Sequence, residues 1–77
     1  MNVDDVVIYY YIVKDIDYIK VTKDYKNLYD DITKHALQLP EESQQFLLNY
    51  AKNNLVGCDD YWGKLLLEYI EEKTTLN

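Results

Sequence analysis

Residues Val6 to Val13, Val-Val-Ile-Tyr-Tyr-Tyr-Ile-Val, form an unbroken apolar and aromatic run, and no other stretch limits the folding choices of this chain so strongly. Eight residues are too few to cross a bilayer as a helix, which takes about 20. The β-branched and aromatic side chains suit a pleated surface, so the run reads as a buried strand. Lys14-Asp15-Ile16-Asp17 then reads as a tight connection and Tyr18 to Thr22 as a second strand. If Val13 opposes Tyr18, one face of the hairpin collects Ile8, Tyr10, Ile12, Ile19 and Val21. The other face carries Tyr9, Tyr11, Val13, Tyr18, Lys20 and Thr22. A one-residue slip would scatter the first set, so the hydrophobic pattern favours this register. The connection itself has no glycine and no Asn-Gly pair, the usual chemistry of a tight hairpin turn.

Three helices are expected downstream. Tyr25, Leu28, Tyr29, Ile32, Ala36 and Leu39 recur at spacings of three and four, which predicts a helix over about 24–39 with Asp24 or Thr22 as its cap. Leu39-Pro40-Glu41-Glu42 is a stop and a restart, since proline disfavours helical geometry in the residue before it and suits a first turn. The second helix, about 41–56, ends at Gly57 and has a wide apolar arc that includes Phe46, Leu47, Leu48, Tyr50, Ala51 and Leu55. The third, about 60–73 with Asp59 as N-cap, carries Tyr61, Trp62, Leu65, Leu66, Tyr69 and Ile70 on one stripe. The expected fold is therefore α+β: one domain over 1–77, a two-stranded antiparallel hairpin at about 6–13 and 18–22, packed on three helices. The open edges of such a hairpin would let two copies pair into a four-stranded sheet.

Charge narrows the range of partners. Fourteen acidic residues against eight lysines give a net charge of −6, and no arginine is present. Arginine is the preferred side chain for bidentate contacts to phosphate and guanine. A surface of this sign without it is poorly suited to nucleic acid or to anionic membranes and suits a basic protein. The helices offer no basic face for a helix-turn-helix reader. Met1-Asn2-Val3-Asp4-Asp5 is acidic where a signal peptide would be basic, and a single cysteine fits a reducing compartment, so the expected location is cytoplasmic.

Catalytic groups are sparse. Cys58 and His35 are the only cysteine and histidine, and nothing in the sequence brings them together. Asp59-Asp60 is a carboxylate pair that helix capping already explains. Gly57 and Gly63 stand apart and make no phosphate loop, and zinc spacing is impossible with one cysteine and one histidine. Neither an enzyme nor a cofactor nor a metal is expected.

Nine tyrosines and one tryptophan remain to be explained. Most fall on core stripes, but Tyr9, Tyr11 and Tyr18 fall on the far face of the hairpin, and tyrosine is enriched at protein interfaces. A second candidate surface is Leu67, an apolar position among Asp60, Lys64, Glu68 and Glu71, and inhibition by charge mimicry predicts the carboxylates of Asp59, Asp60, Glu68, Glu71 and Glu72 gathered on one face. Tyr9, Tyr11, Tyr18, Asp59, Asp60, Leu67, Glu68, Glu71 and Glu72 are the expected protein-binding site. The expected function is that of a small acidic inhibitor occupying a basic surface of a nucleic-acid-handling protein. Class-level analogies are nuclease inhibitors, toxin-immunity proteins, and anti-CRISPR or anti-restriction proteins, some of which mimic DNA; the lysine-rich, arginine-free composition also suits an AT-rich phage or mobile element. The alternative is a homodimeric structural or assembly factor joined through the hairpin.

Overall fold

The computed structural model describes residues 2–74, and these form four α-helices. Helix α1 spans Val3–Thr22, α2 Tyr25–His35, α3 Glu41–Leu55 and α4 Tyr61–Thr74, with a 3-10 turn at Ala36–Gln38 between α2 and α3. No strand occurs among the described residues. The α+β expectation is therefore wrong, and the two expected strands are one continuous helix.

The cause is local. Asn2 and Asp5 form a capping box: the Asp5 N–H donates to Asn2 Oδ1 at 2.9 Å, and the Asn2 N–H donates to Asp5 Oδ2 at 3.4 Å. This satisfies amides that an open helix start leaves bare. From there Ile8, Ile12, Ile16 and Ile19 recur at spacings of four, four and three, which is one face of a helix. Ile12, Ile16 and Ile19 are at most 1% exposed. The hairpin register grouped Tyr10 and Val21 with them, yet these two are 63% and 81% exposed. A helix also pairs its own interior amides, whereas a lone hairpin leaves two open edges. The Lys14–Asp17 segment, without a glycine or an Asn-Gly pair, simply continues the helix. Lys23 ends it in the left-handed conformation, φ 55°, with its N–H donating to the Ile19 carbonyl at 2.8 Å.

The downstream helices lie close to their expected positions. Asp24 Oδ1 accepts from Asn27 N–H to start α2, and Gly57, at φ 81°, follows the end of α3. Asp60, rather than the expected Asp59, caps α4: its Oδ1 accepts from Trp62 N–H at 2.9 Å and Gly63 N–H at 3.3 Å. The tail beyond Thr74, expected to fray, lies outside the described residues.

The helices pack as a ring. Both α1 and α4 lie against α2 and α3, while α1 and α4, and likewise α2 and α3, occupy diagonal corners without packing on each other. The core joins the α1 isoleucines to Leu28 and Ile32 of α2, Leu47, Leu48, Ala51 and Leu55 of α3, and Leu66 and Ile70 of α4. Aromatic rings seal the seams. Tyr29 meets Trp62 at 5.6 Å between α2 and α4, and Tyr9 meets Phe46 at 6.2 Å between α1 and α3. Gly63 is buried where α4 meets the chain before it. A Cβ there would fall on Cys58 Sγ and crowd the Tyr25 ring, so Cys58 is a packing residue at this joint.

Truncation separates the helix from the hairpin. Ile16→Ala is expected to lower stability in urea by about 2–5 kcal/mol, the range for a buried large-to-small change. Val21→Ala is expected to change it by about 0.5 kcal/mol or less, as at other exposed positions. A large loss at Val21 would restore the sheet register.

Candidate functional site

Helix α1 has two apolar faces. The isoleucine stripe looks inward. Seven of the eleven exposed large apolar side chains among the described residues also belong to this helix: Val3, Val6, Val7, Tyr10, Tyr11, Tyr18 and Val21. At 3.6 residues per turn they fill an outward arc of roughly 140° over about 27 Å of helix. Two charged residues fall within this arc: Asp17, which accepts from the Tyr50 hydroxyl of α3, and Lys14 in the middle, whose Nζ lies 5.7 Å from the centre of the Tyr10 ring. Val6, Val7, Tyr10, Tyr11 and Lys14 enclose a shallow depression.

Where α1 meets α2, two carboxyl groups face each other. Asp31 is 8% exposed and lies beside Asp15, and the Oδ2 atoms of both are buried without a hydrogen-bond partner. Two ionised carboxylates have no proton to share, and the contact becomes a hydrogen bond only when one of them is protonated. Burial, the bond to Asp15 and the charges of Asp15, Asp30 and Asp24 together push Asp31 up from 3.8 to about 7. No cation contributes to this balance. The same two acids, Asp31 first, raise the Tyr11 hydroxyl. A pocket of about 260 Å³ opens here between Val7, Ile8, Tyr11, Asp31 and His35. On the other side of the pair a smaller one, about 170 Å³, is lined by Asp15, Tyr18, Thr22, Asp24, Asn27 and Leu28.

The expected site residues divide between two surfaces. Tyr11 and Tyr18 are exposed on the outer face of α1, whereas Tyr9 is half-buried against Phe46. Asp59 and Asp60 lie exposed at the joint before α4, with Asp60 engaged as the cap. Leu67 is half-buried against the core, and Glu68, Glu71 and Glu72 are exposed along α4. Since α1 and α4 stand at diagonal corners, the tyrosines and the C-terminal acids do not form one patch. The expected dimer through paired hairpin edges has no strands to form it.

Sequence reasoning missed Asp15 and Asp31. Their signal is visible once α1 is read at helical period: Asp15 lies within the stripe Ile12, Ile16, Ile19, and Asp31 within Leu28, Ile32. A carboxylate at a core position of each of two neighbouring helices is unusual.

Among the described residues no group of three or more His, Cys, Asp or Glu side chains is arranged to hold a metal ion. No described helix is long and apolar enough to cross a membrane. No family model, curated protein or solved structure matches the chain.

The carboxyl pair makes stability depend on pH. Folding raises the Asp31 pKa, so the folded state binds the proton more tightly than the unfolded chain. The stabilisation is complete below about pH 3.8 and is lost as pH rises through about 7. Thermal unfolding at pH 8 and pH 5.5 is expected to give the lower Tm at pH 8. Asp31→Asn is expected to reduce that difference and to raise Tm at pH 8.

Proposed function

We propose that this chain is a protein-binding antagonist that works by occupying a surface, with the outer face of α1 as its docking element. The observation that carries this reading is the apolar arc Val3, Val6, Val7, Tyr10, Tyr11, Tyr18 and Val21 on one helix of a protein with net charge −6. Large exposed apolar patches of this kind mark interaction sites, whereas singly scattered apolar residues do not. Lysine, with one long flexible stem in the middle of such a face, still allows close apolar contact.

Charge chooses the kind of partner. Asp15, Asp24, Asp30 and Asp31 gather along the α2 border of the arc, and all three of the others bear on Asp31. An apolar patch rimmed by carboxylates complements an apolar groove rimmed by lysine and arginine, and such basic surfaces are characteristic of nucleic-acid-handling proteins. The acids that support an inhibitor by charge complementarity are thus those between α1 and α2 more than those of α4. The half-buried, unpaired Cys58 suits a reducing cytoplasm. Docking requires neither catalysis nor a cofactor.

A homodimer through the same face is the competing reading, favoured by the low charge of the arc compared with the rest of the molecule. Light scattering over a concentration series, at low and high salt, separates the two. A monomer is expected. Calorimetry against a panel of purified basic nucleic-acid-binding domains is then expected to find a partner whose affinity falls with salt and drops at least about tenfold for Val7→Glu. A salt-insensitive dimer that Val7→Glu dissociates would support the assembly factor. Partner binding indifferent to Val7→Glu would move the surface to α4.

A further inference from the structure

Helix α1 packs on α2, α3 and the 3-10 turn between them, and not on α4. A side-chain contact ties it to each helical neighbour. On the α3 side the Tyr50 hydroxyl donates to Asp17. On the α2 side Asp15 meets Asp31, and among the described residues neither Oδ2 finds another partner. The two ties respond differently to pH. Accepting its hydrogen bond, Asp17 raises the Tyr50 hydroxyl above its usual 10.0, so this tie keeps its proton throughout the neutral range. Two carboxyls bond each other only while they share a proton, and as two carboxylates they repel. The seam also has space on both sides of the pair. Asp31 lines the pocket of about 260 Å³ with Tyr11 and His35, and Asp15 lines the one of about 170 Å³ with Tyr18, Thr22 and Asn27. Each holds several waters at about 30 Å³ apiece.

We propose that the Asp15–Asp31 pair is a proton-operated latch on the α1–α2 seam: one shared proton holds the two helices together, and its loss turns the carboxylates apart into the flanking pockets and lets α1 shift away from α2 while it stays seated on α3. The step is an ordinary acid dissociation. The O–H bond of the shared proton breaks, the proton passes to water, and two carboxylates stand where one stood before. The titratable and charged groups that bear on the pair or line the pockets beside it are Asp24, Asp30 and His35 on the α2 side and Tyr11 and Tyr18 on the α1 side. Burial, the bond to Asp15 and the charges of the surrounding acids raise Asp31 to about 7, so the latch releases as pH rises through neutrality. The hydroxyls of Tyr18 and Thr22 and the amide of Asn27 give the Asp15 carboxylate donors within its own pocket, and His35 and Tyr11 do the same for Asp31. The proton-linked loss is thereby confined to one seam instead of being spread over the whole fold. It is a property of the folded chain alone and needs no partner.

The test is an NMR titration of the whole protein from pH 5.5 to pH 8, reading side-chain carboxyl carbons, methyl contacts and the access of a neutral soluble paramagnetic agent. The carboxyl carbons of Asp15 and Asp31 are expected to shift together in one step, as coupled groups do. Across the same step the contacts of the α1 isoleucines with Leu28 and Ile32 are expected to be lost, and the agent to reach those two methyl groups. The Tyr9–Phe46 contact and the shielding of Leu66 and Ile70 are expected to persist. In Asp31→Asn the side-chain amide donates to Asp15 with no proton to lose, so the seam is expected to stay closed at both pH values. The variant adds no charge and is expected to fold; should it not, the wild-type titration decides alone. His35→Gln controls for the imidazole at the pocket wall and is expected to keep the transition. The latch is overturned if the α2 contacts survive ionisation of both carboxyls, if the α3 contacts are lost with them, if no carboxyl carbon shifts in this range, if Asp31→Asn opens as the wild type does, or if His35→Gln abolishes the opening.

Discussion

Everything in this molecule depends on the isoleucine stripe of α1. Ile12, Ile16 and Ile19 are the fully enclosed side chains through which the N-terminal third of the chain joins the core, with Ile8, Tyr9 and Val13 packed beside them. A 77-residue protein with no disulfide and no metal cluster among its described residues has little else to hold such a segment. The stripe sets the rotation of α1 about its own axis. That rotation decides two further things: it turns Val3, Val7, Tyr10 and Val21 to solvent, and it brings Asp15 against Asp31. The exposed apolar face and the carboxyl pair are consequences of one packing choice.

The carboxyl pair runs against the stability of the fold. An Asp pair shielded from water, with only other acids acting on it, costs free energy at neutral pH, and hydrophobic residues of similar size would pack there more favourably. The apolar outer face carries a similar penalty in solubility. Both features lie on the same side of the ring and share Val7 and Tyr11. Local conflicts with folding rules are thus concentrated in one place, which is the ground for the proposal that this side of the molecule binds a partner.

Much of the C-terminal architecture was legible. The stripe from Tyr25 to Ile32, the Pro40 restart, the Gly57 terminator and the Leu66–Ile70 face all act locally, and the structure places α2, α3 and α4 within a few residues of the expected ranges. The N-terminal third was misread for a physical reason. Amphipathic periodicity identifies a helix only when one face is polar. In α1 both faces are apolar, so the stripe at Ile8, Ile12, Ile16 and Ile19 is masked by Val7, Tyr10 and Tyr11 between its members. The composition of the run then favours a strand. Two cues pointed the other way: the Asn2–Asp5 capping spacing, and the absence of a glycine or an Asn-Gly pair between Lys14 and Asp17. Of the residues singled out for the site, Tyr11 and Tyr18 are exposed, while Tyr9 is engaged with Phe46 and Leu67 with the core. The Asp15–Asp31 contact depends on helix pairing, which no local pattern encodes.

The most direct test of the account is an NMR assignment of α1 with nuclear Overhauser contacts, because the rotation of this one helix carries both the core and the exposed apolar face. The expected result is unbroken helical chemical shifts from Val3 to Thr22. Contacts are expected from Ile12 and Ile16 to Leu28, Ile32, Leu47 or Leu55 and from Tyr9 to Phe46, with Val7 and Val21 open to a soluble paramagnetic agent. Extended shifts on either side of Lys14–Asp17, with cross-strand contacts between Ile12 and Ile19, would contradict it.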